Sequence, residues 1–518
     1  MKKVYTLLYT LMGCIGILAA QDSTHFVTTW KTTNDGISGD SSITIFTNSS
    51  VTFNYDIDWN NDGIFDSLSI KGNITHNFGD TGIFTIRIKG TFPIIEFPST
   101  SDHDKIIFVD QWGTNKWKGL SLGWCTNVDL RTSDAPDLSL MTSLKKAFWS
   151  CSTFNGDISS WDVSTITDMR GIFYRCSNFN QDVGNWDVSN VTDFVQMFYQ
   201  CPKFNQDIGG WDVSSAVDMN RMFRGNHLAP SIFNQDISNW DVSDVADFSD
   251  MFMYCDSFNV DIGKWDVSSA TDMNYMFRSA ISFNQDISGW DVDSVTNMQG
   301  AFQRATSFNQ DLSSWDVSRV TNMWWMFDDA DAFNQDISNW DVSNVTNMYG
   351  MFDDNDAFNQ NLSDWDIKSV TTMRHMFARS ALSRENYDSI LIAWEAKPHK
   401  SNVEFYPYDM VFCHSDSARS ELIKDGWIFN GDTKDCLTTG ITENKTEGII
   451  EVYPNPTNGL LNINLTDGSL IFIYDSNARL VRQFNLNKGA NQIDLSKYPN
   501  GLYFIRNGYQ SKKVMVHH

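Results

Sequence analysis

Apolar residues return along most of this chain in one short pattern. In FNQDISNWDVSNVTNMYGMF, residues 333–352, they fall at Phe333, Ile337, Trp340, Val342, Val345, Met348, Met351 and Phe352, with polar residues between. Phe-Asn pairs begin at Phe154, Phe179, Phe204, Phe233, Phe258, Phe283, Phe308, Phe333 and Phe358, and a Trp-Asp pair follows each. Seven of the intervals are 25 residues and one is 29. A fixed period of this size predicts stacked units, each burying its apolar face only against the next. The I-x-x-W-x-V-x-x-V order fits leucine-rich spacing, so the expected fold is a leucine-rich-repeat-like solenoid of parallel strands with one helical turn per rung. Trp340 and Val342 would point inward from the strand. Met348, Met351 and Phe352 would form the outer, convex helical turn, with Thr346 or Asn347 at its cap. At about 4.8 Å per strand the array would extend on the order of 40 Å.

The flanks read differently. Residues 1–20 form a signal peptide, MKKVYTLLYTLMGCIGILAA, with cleavage after Ala20 as the first reading and lipidation of Cys14 as the second. Residues 21–99 alternate as strands do, notably in SSVTFNYDIDW and GIFTIRIKG, and predict a β-sandwich-like domain. Residues 100–153 supply an N-terminal cap and a degenerate rung, 154–382 the nine repeats, 383–437 a C-terminal cap, and 438–448 a polar linker. Residues 449–518 predict a small β-sandwich. No later segment carries roughly 18 apolar residues in a row, so the mature chain is not expected to cross a membrane as a helix.

Three resemblances add to this reading. The repeat, the opening FVTTWKTT and the closing LSRENYDSILIAW together resemble BspA-like leucine-rich repeat surface proteins of bacteria, which implies surface exposure and adhesion rather than a reaction. HNFGDTGIFTIRI resembles the last strands of a PKD-type domain. YPNPTNG and PNGLYF resemble the C-terminal sorting domain of type IX secretion substrates in Bacteroidetes-like bacteria, which implies engagement of that secretion machinery and a secreted or outer-surface location.

Composition narrows the partners. The net charge of −26, with 38 Lys and Arg against 64 Asp and Glu, argues against nucleic acid and anionic membranes. Stacking turns each repeat position into a ladder. Asp162, Asp187, Asp212, Asp241, Asp266, Asp291, Asp316, Asp341 and Asp366 follow the tryptophans. They are expected on the exposed concave face, where like charges cost on the order of 1 kcal/mol per adjacent pair. Hydrogen bonds from the following serine, as at Ser343, would screen them; alternatively the strip binds cations or a basic partner. Asn155 and its equivalents read as an amide ladder joining rungs. Cys151, Cys176, Cys201 and Cys255 read as buried thiols or as inter-rung disulfides. Asp58, Asn60, Asp62 and Asp66 occupy calcium-loop positions without the final Glu, so either a weak calcium site or a plain hairpin turn is expected there. Cys413 and Cys436 are candidates for a disulfide.

No nucleophile elbow, phosphate loop or H-E-x-x-H occurs, and a ladder repeats one group rather than bringing unlike groups together. The expected function is therefore non-enzymatic: an adhesion module binding an extracellular protein or glycan, with calcium as the only candidate cofactor. The alternatives are a surface-layer spacer and, less favoured, a glycan-active β-helix enzyme.

Overall fold

The computed structural model describes residues 22–436, 451–465, 469–475, 480–506 and 511–517. The expected signal peptide and the linker at 438–448 lie outside the described residues. The chain divides into two compact units, Met1–Asp435 and Cys436–His518.

In the first unit, β-branched and aromatic stretches form β1 (Phe26–Lys31), β2 (Ser42–Ile45), β3 (Asn54–Asp58), β4 (Ser67–Ile70), β5 (Ile74–Asn77) and β6 (Ile83–Thr91). β7 (Ile94–Glu96), β8 (Ile106–Gln111), β9 (Gly119–Ser121) and β10 (Asp129–Leu130) follow. Six of these strands make one sheet in the order β10-β8-β1-β6-β3-β4, with β1 antiparallel to both neighbours. β2 pairs with β5, and β7 with β9, as separate small sheets. The core under the six-stranded sheet continues into the repeats: Trp112 meets Trp161 edge-on at 5.6 Å.

No named strand or helix lies between β10 and α1 (Arg384–Glu395). This overturns the leucine-rich-repeat-like solenoid with its parallel strands and helical turns. The repeat is built instead from tight turns. Trp186 N–H returns to Val183 O at 3.1 Å and Val191 N–H to Val188 O at 2.8 Å, so the W-D-V segment turns where a strand was expected. Adjacent rungs are joined through the M-x-x-M-F segment. Isolated parallel bridges run from Ser143↔Asp168 to Thr372↔Glu404. Beyond each bridge, alternate amides reach the next rung: Met169, Gly171, Phe173 and Arg175 donate to carbonyls of Asp193, Val195, Met197 and Tyr199 at 3.0, 2.8, 3.1 and 2.7 Å.

A helix would spend those amides on its own preceding turn. Here the third and seventh residues of the segment adopt left-handed backbone, as at Gln196 (φ 58°) and Gln200 (φ 54°), which breaks both helix and strand. Met169, Ile172 and Phe173 still face inward at i, i+3, i+4, because each short turn reverses the chain at nearly helical spacing.

Inside, columns of like side chains pack face to face. Phe179 and Phe204 stack at 5.8 Å, and Phe173 meets Phe179 at 3.9 Å within its own rung. Each repeat tryptophan from Trp186 to Trp365 donates its indole N–H to a carbonyl of the preceding rung, Trp340 to Leu312 O at 2.9 Å for example. The asparagine ladder forms as expected: Asn334 N–H reaches Asn309 Oδ1 at 3.0 Å, and equivalent bonds run from Asn155 to Asn359. Cys151, Cys176, Cys201 and Cys255 are free, buried thiols that donate to carbonyls of the preceding rung. Burial holds them thiol rather than thiolate. The extra four residues in the 29-residue interval form a surface turn in which Asn226 bridges Ala229, and Leu228 at its tip is 83% exposed.

The array ends on α1. Ser383 caps it by accepting from Asn386 N–H, and Tyr387, Ile390, Leu391 and Trp394 form its buried stripe. Trp394 donates to Leu362 O at 3.2 Å, as a rung tryptophan would. α2 (Asp416–Lys424) follows a loop held by Asp388, whose carboxylate accepts the amides of Cys413, His414 and Ser415. The pairs β11 (Glu404–Phe405) with β13 (Ile428–Phe429), and β12 (Val411–Phe412) with β14 (Thr433–Lys434), complete this unit.

The second unit is β-rich. β15 (Glu451–Tyr453), β16 (Leu460–Leu465) and β19 (Gly489–Asp494) form one antiparallel sheet; β17 (Ser469–Asp475), β18 (Leu480–Leu486), β20 (Gly501–Arg506) and β21 (Ser511–Val516) form another. Leu461, Ile463, Ile473, Ile505 and Val514 fill its own core. The flanks are thus sets of small, mainly antiparallel sheets.

Candidate binding face

The aspartates after the tryptophans are turn-formers by geometry. Oδ1 of Asp162 accepts Ser164 N–H at 3.1 Å and its hydroxyl at 2.6 Å, and the same pair recurs from Asp187, Asp212, Asp241 and Asp266. Asp291, Asp316 and Asp341 accept the amide two residues on, at 3.2, 2.9 and 3.0 Å. Asp366 does so with Lys368, whose ammonium also reaches it at 2.8 Å. All are exposed except Asp366, which is half-buried. The serine hydroxyl bonds hold the carboxyls of Asp162, Asp212, Asp266 and Asp316 below the usual range. Two further columns do the same work: Asp336 accepts from Ser338 N–H, and Asn347 from Tyr349 N–H. Each rung therefore carries three side-chain-closed turns.

The loop at Asp58 is closed in a similar way. Asp58 is buried, its two oxygens accept the amides of Asn60, Asp62 and Gly63, and Asp66 accepts Trp59 N–H. Asn60 donates to Asp62 at 3.1 Å. Among the described residues, no group of three or more His, Cys, Asp or Glu is placed to hold a metal ion. Cys413 and Cys436 are each disulfide-bonded.

The chemistry that varies from rung to rung lies elsewhere, in the segment that joins the rungs. Counting from its first apolar residue (Met169, Phe194, Met219 and so on), positions two, three, six and seven range from buried (Asp250, Gln303, Asp353) through half-buried to exposed (Arg175, Arg304), and no two rungs carry the same set of four. They are rich in Trp, Tyr and Arg, the residues that dominate binding hot spots. At one end Trp149 stacks on Tyr174 at 3.6 Å and Tyr174 on Tyr199 at 4.5 Å, with Arg224 over Tyr199 at 5.6 Å. Arg278 lies over both Tyr254 and Tyr275, at 6.0 and 5.1 Å. Toward the other end Trp324 meets Tyr349 edge-on at 5.6 Å, and Tyr349 lies 5.4 Å from His375.

Charges are set between the rings. Buried Asp250 is paired with Arg221 at 3.1 Å and Arg224 at 2.8 Å. Asp353 and Asp354 share Arg379. Burial pushes the carboxyls of Asp328 and Asp353 up to about 7 despite the guanidinium nearby. Among the described residues, Ser150 Oγ, Arg224 Nε, Arg278 Nε, Gln303 Oε1, Trp324 Nε1 and Arg374 Nε are buried polar atoms with no hydrogen-bond partner, and all six lie on this face.

The glycines of the face belong to the same design. Gly171, Gly300 and Gly350 take left-handed backbone, and a Cβ on each would fall within 2.6 Å of a ring from the preceding rung, Trp149, Tyr275 or Trp325. Attention to the invariant letters of the repeat misses this face. Its signal in the sequence is the variability itself: four positions out of 25 where aromatic and basic residues gather and change while the residues between them stay apolar.

Fold and face together define a turn-built repeat protein with a separate β-rich tail. Residues 123–231, 229–331 and 311–403 match the family model described as "Mycoplasma protein of unknown function, DUF285". These matches run together over 123–403, more than half of the 518 residues, and the chain belongs to that family. Residues 451–517 match the secretion system C-terminal sorting domain. No curated protein and no solved structure matches the chain. The sorting domain is of the type IX kind found in Bacteroidetes-type bacteria; it engages that secretion machinery and marks a secreted or cell-surface protein. No helix among the described residues is long and apolar enough to cross a membrane.

Proposed function

We propose that this secreted or surface protein is a non-enzymatic adhesion module that binds an extracellular macromolecule through the variable face. One observation carries the reading: the repeat keeps its core apolar and its turn-forming residues nearly constant, while four positions of the joining segment change from rung to rung and concentrate Trp, Tyr and Arg. A spacer would have no use for that selection, nor for buried donors left unpaired. The resemblance of the repeat to BspA-like surface proteins points the same way. The aspartates after the tryptophans are scaffold in this reading, since each already serves a turn.

The test is binding of the secreted protein to arrays of extracellular proteins and glycans. Tyr199→Ala with Trp324→Ala is expected to weaken capture by more than about tenfold, while Asp316→Asn leaves it unchanged. Capture unaffected by the first pair, or turnover of any array glycan, overturns the proposal.

A further inference from the structure

We infer that the end of this face between Gln303 and Arg379 receives a lysine or arginine side chain of a partner protein; the inference rests on the face being the binding surface. Positions six and seven of two adjacent rungs hold carboxylates side by side, Asp328 and Asp329 in one and Asp353 and Asp354 in the next. Arg304 pairs with Asp329 at 3.2 Å, and Arg379 reaches Asp353 at 2.9 Å and Asp354 at 2.7 Å. Two guanidiniums thus face four carboxylates, and Asp409, on the turn beyond β11, adds a fifth beside Arg379. The other charged neighbours do not close the gap: Arg374 lies 3.7 Å from Glu404, and burial, with Arg379 and Arg374 beside it, lowers the pKa of His375.

A second observation marks where a donor is missing. Gln303, only 5% exposed, occupies position six in the rung before Asp328 and donates from Nε2 to Asp328 Oδ2 at 2.6 Å. Its Oε1 is buried against the same cluster without a hydrogen-bond partner. Position six therefore offers an amide oxygen and two carboxyls in three successive rungs, and burial holds the carboxyls of Asp328 and Asp353 up at about 7. What the arrangement lacks is a cation that donates hydrogen bonds.

Three features choose that cation. The carboxylates are strung along the rungs rather than gathered round a point, and among the described residues no three His, Cys, Asp or Glu are placed to share a metal ion. Depth decides next: the side chains of Asp329 and Asp354 are 39% and 44% exposed, that of Asp353 only 11%. An ammonium or guanidinium at the tip of a thin apolar stem passes the outer pair and reaches the inner one, whereas an amino sugar carries its charge on the ring and stops outside. Aromatic rings stand where the stem would lie. Trp324 and Trp325 are 4.5 Å apart, and Gly350 brings Trp325 beside Asp353, since a Cβ added at the glycine would fall 2.6 Å from the indole and 3.6 Å from Asp353 Cβ.

The experiment is calorimetric titration of the full secreted chain with tetralysine and tetra-arginine, and with chitosan tetramers and calcium, at pH 6, 7 and 8 in buffers of different ionisation enthalpy. At least one peptide is expected to bind, about tenfold more tightly at pH 8 than at pH 6, and to release protons at pH 7, because a cation beside Asp328 and Asp353 favours their ionised forms. Asp328→Asn should weaken binding by about tenfold and reduce the proton release, and Asp328→Asn with Asp353→Asn should abolish the release. Asparagine still accepts from Gln303, so the single variant serves where the double one fails to fold. Asp316→Asn with Asp341→Asn, among the aspartates after the tryptophans, also removes negative charge and should change neither reading. No binding of either peptide, binding without proton release at pH 7, an equal loss in the Asp316 and Asp341 variant, tighter binding of chitosan, or displacement of the peptide by calcium at constant ionic strength overturns the inference. If Asp328→Asn leaves capture of an array protein unchanged while Tyr199→Ala with Trp324→Ala lowers it, the binding face stands without this site; if neither changes capture, both readings fall.

Discussion

Asp328 and Asp353 occupy the same position in adjacent rungs, and burial holds both carboxyls near pH 7. An unfolded chain would titrate them near 4, so the folded state keeps their protons more tightly through the interval between. Their contribution to stability is complete below about pH 4 and is lost as the pH rises through 7. Asp328→Asn should therefore raise stability at pH 8 by on the order of 2 kcal/mol, after allowance for solvent screening, and change little at pH 4, as read from thermal melts at the two pH values. The aspartates at Asp162 and Asp316 shift the other way: their contribution is present above about pH 4 and disappears on further acidification. Asparagine can accept the same amide through its own oxygen. Changing Asp291, Asp316 and Asp341 to Asn together should leave the protein as stable as before or more so at low salt, while the triple Ala variant should lose about 1 kcal/mol per site in denaturant titrations. A screening hydrogen bond to Asp341 was legible in the sequence, although its donor is the Ser343 amide; the raised pKa of Asp328 was not, because it depends on which residues of neighbouring rungs cover it.

At the level of the rung, periodicity and the asparagine ladder could be read from the letters, and the backbone could not. W-x-V looks like a strand edge and M-x-x-M-F like a helical turn, because tight turns also return apolar residues at spacings of two, three and four. The overlooked signal is the choice of residues at the two left-handed positions. Gly, Gln, Arg, Asp, Tyr, Trp, His and Ser occur there and β-branched residues do not, as left-handed backbone requires. Trp340→Ala removes a buried indole and strands the Leu312 carbonyl, and should cost about 3–5 kcal/mol in chemical unfolding. The longer interval is the tolerant counterpart. Deleting His227–Pro230 would leave Asn226 in the slot filled elsewhere by Cys, Ala or the fully buried Asn355. Because the removed tip is exposed, that deletion should change stability by less than about 1 kcal/mol; a larger fall in melting temperature would show that the turn supports the core.

At the scale of the molecule, the tail was the most legible part, since its Y-P-N-P and P-N-G-L-Y-F segments are short and specific, whereas the variable face emerges only when the rungs are stacked. Removing residues 451–518 should leave the melting of the first unit unchanged, because each unit has its own core, and should hold the protein in the periplasm. Fractionation of cells carrying the truncated chain, beside calorimetry of the purified product, checks both parts. The way the array stops has a consequence of its own. Trp394 on α1 makes the bond to Leu362 that the next rung would have made, so the closing helix recognises the end of any rung rather than one particular rung. Length is then a free variable of this architecture. A gene that gains or loses a 25-residue unit by unequal recombination still encodes a chain that closes, and each unit gained adds four residues of the variable face on which selection for a new ligand can act without touching the scaffold.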